Sequence, residues 1–148
     1  MGSTVGGLII GRAAAVFGSS LSSPYCRLSR LDIAFSCVTD AVGVPVAAAL
    51  ASNTSLIYLD VSHNRLTGLF AQTAAAALLT NSTLRELRAG FQPLGIEGCR
   101  ALLHVSEGSK ARVLGVTKSW VRLHLLVIIA FYPNFAQLSH ISAIFPGL

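Results

Sequence analysis

The sequence predicts an α/β fold, a short repeat solenoid with parallel strands on its concave face and helices on its convex face. Three observations carry that expectation. Apolar residues recur at a period of 28, as Leu28, Leu31 and Ile33, then Leu56, Leu59 and Val61, then Leu84, Leu87 and Ala89. Within a block, apolar and polar residues alternate, as in Leu59, Asp60, Val61 and Ser62, which suits a strand with one buried face. Small and leucine-rich stretches such as Thr73 to Thr80 follow and suit a helix. A period of this length marks units that bury their apolar faces only against their neighbours.

Residues 1–27 form a partial N-terminal repeat or helix. Ala13 to Ala15 and Leu21 fall near where Leu50 and Leu78 project back by one period. The glycine spacing of Gly6 to Ala13 is that of a phosphate loop, but Arg12 and Ala13 replace its lysine and hydroxyl, so no nucleotide is expected. The repeats then run over 28–107, as units 28–55, 56–83 and 84–107. Pro45 is placed in the first turn of the first helix, where its missing N–H costs nothing. Ala47 to Ala49 and Ala74 to Ala77 allow close helix approach, and right-handed crossovers should join the strands in parallel. After Glu107 the register is lost, because a charged residue, Arg112, stands where the next strand should begin. Residues 108–148 are read as a non-repeat hydrophobic tail.

One stretch matches a known pattern at every fixed position. Leu56-Ile57-Tyr58-Leu59-Asp60-Val61-Ser62-His63-Asn64-Arg65-Leu66 fits L-x-x-L-x-L-x-x-N/C-x-L. Over residues 28–107 the chain resembles the leucine-rich repeat family, and its 28-residue unit with an alanine-rich second half is similar to the ribonuclease-inhibitor-type subclass. The structural repeat positions are then Leu28, Leu31, Ile33, Leu56, Leu59, Val61, Asn64, Leu66, Leu84, Leu87 and Leu94, with Ser36 and Gln92 in the asparagine column. Asn64 should point inward and bond loop backbone groups. The resemblance implies a noncatalytic protein-protein interaction module, a fragment of a larger leucine-rich repeat protein or scaffold, without cofactors. Some repeats of this type stimulate GTP hydrolysis through an exposed loop asparagine or arginine, and Asn64 and Arg65 are the loose counterparts of such residues.

Composition removes several other classes. With 53% hydrophobic and 11% charged residues the chain is not of the disordered kind. The net charge of +5 divides into +2 over residues 1–27, −1 over 28–107 and +4 beyond, so basicity lies outside the repeats. Nucleic acid is not an expected partner. Cys26, Cys37 and Cys99 lack zinc or disulfide spacing and read as small buried side chains in a reducing, cytoplasmic compartment. No metal site is expected from the four histidines. Asn53-Thr54-Ser55 and Asn81-Ser82-Thr83 are formal glycosylation acceptors, but their place in the turn before each strand assigns them to turn chemistry. The tail from Leu123 to Leu148 has no Asp, Glu, Lys or Arg. Around Val121 to Leu138 it is a marginal membrane span, in competition with a cap for the repeat stack or an appendage.

The partner surface is expected where strand side chains face solvent. One row across the strands is Arg30, Tyr58 and Glu86; the next is Asp32, Asp60 and Arg88. All six are candidate partner-binding residues, with Tyr and Arg the anchors. Asp60 is treated as a solvated position whose truncation is nearly neutral. Catalysis is not expected, since Ser62 and His63 are placed on opposite faces of one strand and the carboxylates do not cluster.

Overall fold

The leucine columns become rows of a parallel sheet. The computed structural model describes residues 3–115, with side chains from residue 12 onward. Helices and strands alternate as α1 (Ser3–Ser22), β1 (Arg30–Asp32), α2 (Asp40–Ala49), β2 (Tyr58–Asp60), α3 (Gly68–Leu78), β3 (Glu86–Arg88), α4 (Gly95–Gly108) and β4 (Arg112–Leu114). The strands lie in the order β1-β2-β3-β4, every pair parallel. The described fold is therefore α/β, with four helices and one four-stranded parallel sheet. The register sets Leu31 against Leu59, Leu59 against Leu87, and Leu87 against Val113.

Identical side chains stacked at strand spacing of about 4.8 Å fill one continuous core. Leu56, Leu59, Val61, Leu66, Leu84 and Leu87 are wholly buried, and the helices meet them with Val46, Leu50, Phe70, Leu78 and Leu102. Leu94 and Ala89 are buried too. Leu28 departs from its assigned core role. It is 40% exposed where its column mates Leu56 and Leu84 are at 0%, and Leu31 and Ile33 are only partly buried. The reason is position: among the described residues β1 has a paired strand on one side only, β2.

Two boundaries differ from the sequence reading. Pro45 lies inside α2, not in its first turn, because Thr39 takes the extended N-cap conformation and the helix begins at Asp40. Asp40 is held there by the next unit, accepting from the backbone N–H of Thr67 at 3.0 Å and from its hydroxyl. Thr67 in turn accepts from Leu69 N at 3.3 Å, which starts α3 ahead of the Thr73 to Thr80 run. The second difference lies past residue 107. There β4 continues the sheet, pairing Arg112 with Glu86, a spacing of 26 instead of 28. The shortened period puts Ala111 in the core, while the charged Arg112 falls on the exposed row.

The two glycosylation acceptors are buried turn residues. The Asn53 amide donates to Leu21 O at 2.6 Å, and its Oδ1 accepts from Ser55 N at 3.0 Å and Leu56 N at 2.7 Å. Asn81 repeats this, donating to Leu50 O at 2.6 Å and Asn53 O at 3.1 Å while accepting from Thr83 N and Leu84 N. Each amide ties the turn before a strand to the helix end one unit earlier, Leu21 of α1 for Asn53 and Leu50 at the end of α2 for Asn81. The folded chain leaves neither nitrogen open to modification.

β4 is attached through a close backbone approach. Gly115 has φ +81°, and a Cβ there would come within 2.7 Å of Gly90 N and 2.8 Å of Gly90 Cα. Gly115→Ala is expected to cost about 1–3 kcal/mol, from backbone overlap and the left-handed conformation together. The loss should concentrate at β4 and speed exchange of the Ala89 N–H, which donates to Leu114 O. An unchanged urea midpoint with unchanged exchange at Ala89 would contradict the close approach.

Candidate functional site

Because alternate strand residues face opposite ways, the side chains beside the leucines project from the face that the helices leave uncovered. The register puts Arg30, Tyr58, Glu86 and Arg112 in one row and Asp32, Asp60, Arg88 and Leu114 in the next. The Arg30 guanidinium lies over the Tyr58 ring, 3.6 Å from its centroid, and that of Arg88 approaches the same ring at 5.5 Å. Arg88 Nε donates to Glu86 Oε1 at 2.7 Å, and Arg112 Nη2 lies 3.8 Å from Glu86 Oε2. Tyr58 thus sits between Arg30 and Arg88, and Glu86 joins Arg88 to Arg112.

The carboxylates are largely committed to the protein itself. Asp32 Oδ1 accepts from Ala34 N at 3.1 Å, and Asp60 Oδ1 from Ser62 N at 2.9 Å. Asp60 also accepts from the Tyr58 hydroxyl at 3.1 Å and retains 8% exposure, so it is not the solvated position expected of it. A central strand flanked by two others, with Tyr58 folded over it, accounts for that burial. Partial desolvation, followed by the bond to Asp60, holds the Tyr58 phenol above its ordinary pKa. The hydrogen bond to Glu86 keeps Arg88 firmly protonated. Arg30, Arg88 and Arg112 are exposed, and Tyr58 and Glu86 half-exposed, whereas Asp32 and Asp60 serve their own strand ends.

A second assembly was missed, although the period of 28 would have revealed it. Phe35, His63 and Phe91 occupy one column and stack as a ladder, with centroids 4.0 and 4.3 Å apart and planes within 12° and 8° of parallel. All three take left-handed backbone conformations, with φ of 54°, 55° and 57°. His63 is accordingly in a turn beyond β2, not on the strand with Ser62. The turn directs its ring outward between two phenylalanines.

Asn64 is committed to the interior. Its Oδ1 accepts from Ser36 N at 3.0 Å and Val38 N at 2.9 Å, and its amide donates to Ile33 O and Val61 O, both at 2.8 Å. Gln92 reproduces one of these bonds, to Ala89 O at 3.1 Å, but its buried Oε1 meets no donor among the described residues. Arg65 is exposed. The three cysteines are free, and Cys37 is exposed in a left-handed turn, against the expectation that all are buried. Among the described residues no group of three or more His, Cys, Asp and Glu could hold a metal ion, and no helix is long and apolar enough to cross a membrane. The span considered around Val121 to Leu138 lies outside the described residues.

No family model matches the chain, and no curated protein matches it. Among solved structures it is similar to one described as leiomodin-1 actin-binding site 2, with 18% identity and a TM-score of 0.62 over 86% of this chain and 76% of that one. At that identity the likeness is one of fold.

Proposed function

We propose that the protein is a noncatalytic protein-interaction module, a short leucine-rich repeat solenoid of the ribonuclease-inhibitor-like type that binds a protein on its uncovered strand face. The observation that carries the reading is the cluster of Arg30, Tyr58 and Arg88, which stands on three successive strands with both arginines exposed and the tyrosine half-exposed. Arginine and tyrosine are the side chains that most often anchor protein interfaces. Their mutual stacking fixes them before a partner arrives, which lowers the entropy lost on binding. The 28-residue register and the inward Asn64 support the repeat assignment. A cytoplasmic setting belongs to the same proposal, supported by three free thiols and by two glycosylation acceptors closed within the fold. The similar solved structure is described as an actin-binding site, which makes actin the first protein to assay.

Tyr58→Ala combined with Arg88→Ala is expected to weaken capture of the partner by roughly tenfold or more, with circular dichroism unchanged. Immobilised full-length chain and double variant, compared against actin and then against proteins retained from lysate and identified by mass, provide the test. Equal retention by both forms would remove this face from consideration.

A further inference from the structure

The uncovered strand face is neutral in sum but not in what it exposes. Its outward rows hold Arg30, Arg88 and Arg112 together with Asp32, Asp60 and Glu86. The acids are largely turned in. Asp60 is buried, the Glu86 side chain is 19% exposed, and Asp32, although exposed, gives one oxygen to Ala34 N. The arginines are turned out, with the side chains of Arg88 and Arg112 at 48% and 79% exposure and Arg30 exposed as well. Arg85 and Lys110, in the turns leading into β3 and β4, add two further exposed cations.

Arg30 is the cation that the chain leaves unmatched. All six acids lie between Asp32 and Glu107, within the described residues, and those that form ion pairs do so with Arg88, Arg100 and Arg112. The Arg30 guanidinium instead rests over the Tyr58 ring. Stacking on a ring leaves the in-plane N–H donors of a guanidinium free for an acceptor.

We propose, resting on the protein-binding reading of the same face, that the partner presents an extended acidic segment, with carboxylates at alternate residues, that crosses the strands. Three strand spacings of about 4.8 Å, roughly 14 Å in all, separate the Arg30 and Arg112 positions, and an extended chain covers that distance in about four residues. Two acids four residues apart therefore reach the two end arginines. A third, midway between them, meets Arg88, whose guanidinium leans from β3 toward Tyr58 on β2 and is tied to Glu86 in the same row as Tyr58. A nucleic-acid strand fits less well, because Asp32 and Glu86 interrupt the arginines and repel a continuous phosphate backbone, whereas separate carboxylates can be placed between them.

The probe is a capped octapeptide of four glutamate-threonine pairs, titrated into isotope-labelled full-length chain. It is expected to shift the amide resonances of Arg30 to Asp32, Tyr58 to Asp60, Glu86 to Arg88 and Arg112 to Leu114. The glutamine-threonine counterpart has the same shape without the charge, and is expected to bind at least about tenfold more weakly, since charge-assisted hydrogen bonds are roughly twice as strong as neutral ones. Arg30→Ala should weaken binding of the glutamate peptide roughly three- to tenfold, and Arg30→Lys should restore only part of it, because an ammonium lacks the planar fork. Arg100→Ala removes the same unit of charge from α4 and is expected to change affinity less than about twofold.

Equal affinity for the glutamate and glutamine peptides, shifts away from the four strands, or no binding at millimolar peptide would each overturn the proposal. So would equal losses from Arg30→Ala and Arg100→Ala, or tighter binding of an eight-nucleotide oligothymidylate at the same residues. A protein retained by the native chain is expected to be displaced by the glutamate peptide and not by the glutamine peptide. If that protein is lost with the Tyr58→Ala, Arg88→Ala double variant yet undisturbed by the glutamate peptide, the protein-binding reading stands and the acidic segment falls. Equal retention by both forms would remove both.

Discussion

Leu59→Ala is expected to lower the unfolding free energy by about 2–5 kcal/mol. The residue is wholly buried at the centre of the sheet, with Leu31 on one side and Leu87 on the other, and neighbours fixed at strand spacing cannot close the hole left by truncation. Asp60→Ala, one residue away on the opposite face, should cost about 1–2 kcal/mol. That exceeds a neutral surface change, because the carboxylate accepts from Ser62 N and the Tyr58 hydroxyl. Urea titrations of the two variants against the parent decide the matter. Equal losses would mean that the two faces of β2 are wrongly assigned.

Asn81→Ala should cost at least about 3 kcal/mol, although alanine is smaller and fits the space. Truncation strips four partners at once, leaving the carbonyls of Leu50 and Asn53 and the amides of Thr83 and Leu84 without a bond in the interior. Ser82→Ala, at the exposed neighbouring position, should stay within about 0.5 kcal/mol. Comparable urea midpoints for the two variants would show that the asparagine column does not join successive units. The same experiment bears on Asn53, which bonds its turn in the same way.

Much of the architecture was legible because it depends on residues that repeat. A period of 28 with leucine at fixed offsets leaves one economical stacking, leucine over leucine, and it predicts the observed pairs Arg30 with Tyr58 and Tyr58 with Glu86. It equally contained the ladder of Phe35, His63 and Phe91. Nothing in the residue types, however, announces that two phenylalanines and a histidine will adopt positive φ, since bulky side chains rarely do. The strand face was legible as a set of rows but not as a network. That Tyr58 bends over Asp60, and that Arg30 rests on Tyr58 rather than on an acid, depends on side-chain contacts between neighbouring strands.

What the sequence by itself determined is the local periodicity: where strands and helices alternate, which strand residues face inward, and which strands neighbour one another. Only the tertiary structure decided how the first and last described strands behave. Leu28 carries the same letter as Leu56 and Leu84 but is exposed, because burial in a parallel sheet comes from the strands on both sides and among the described residues β1 is paired on one side only. Arg112 breaks the apolar pattern yet extends the sheet, because a unit shortened by two residues still brings Val113 beside Leu87 and leaves the arginine facing out. A side chain's pattern states which way it points, whereas burial depends on whether a neighbour stands there to cover it.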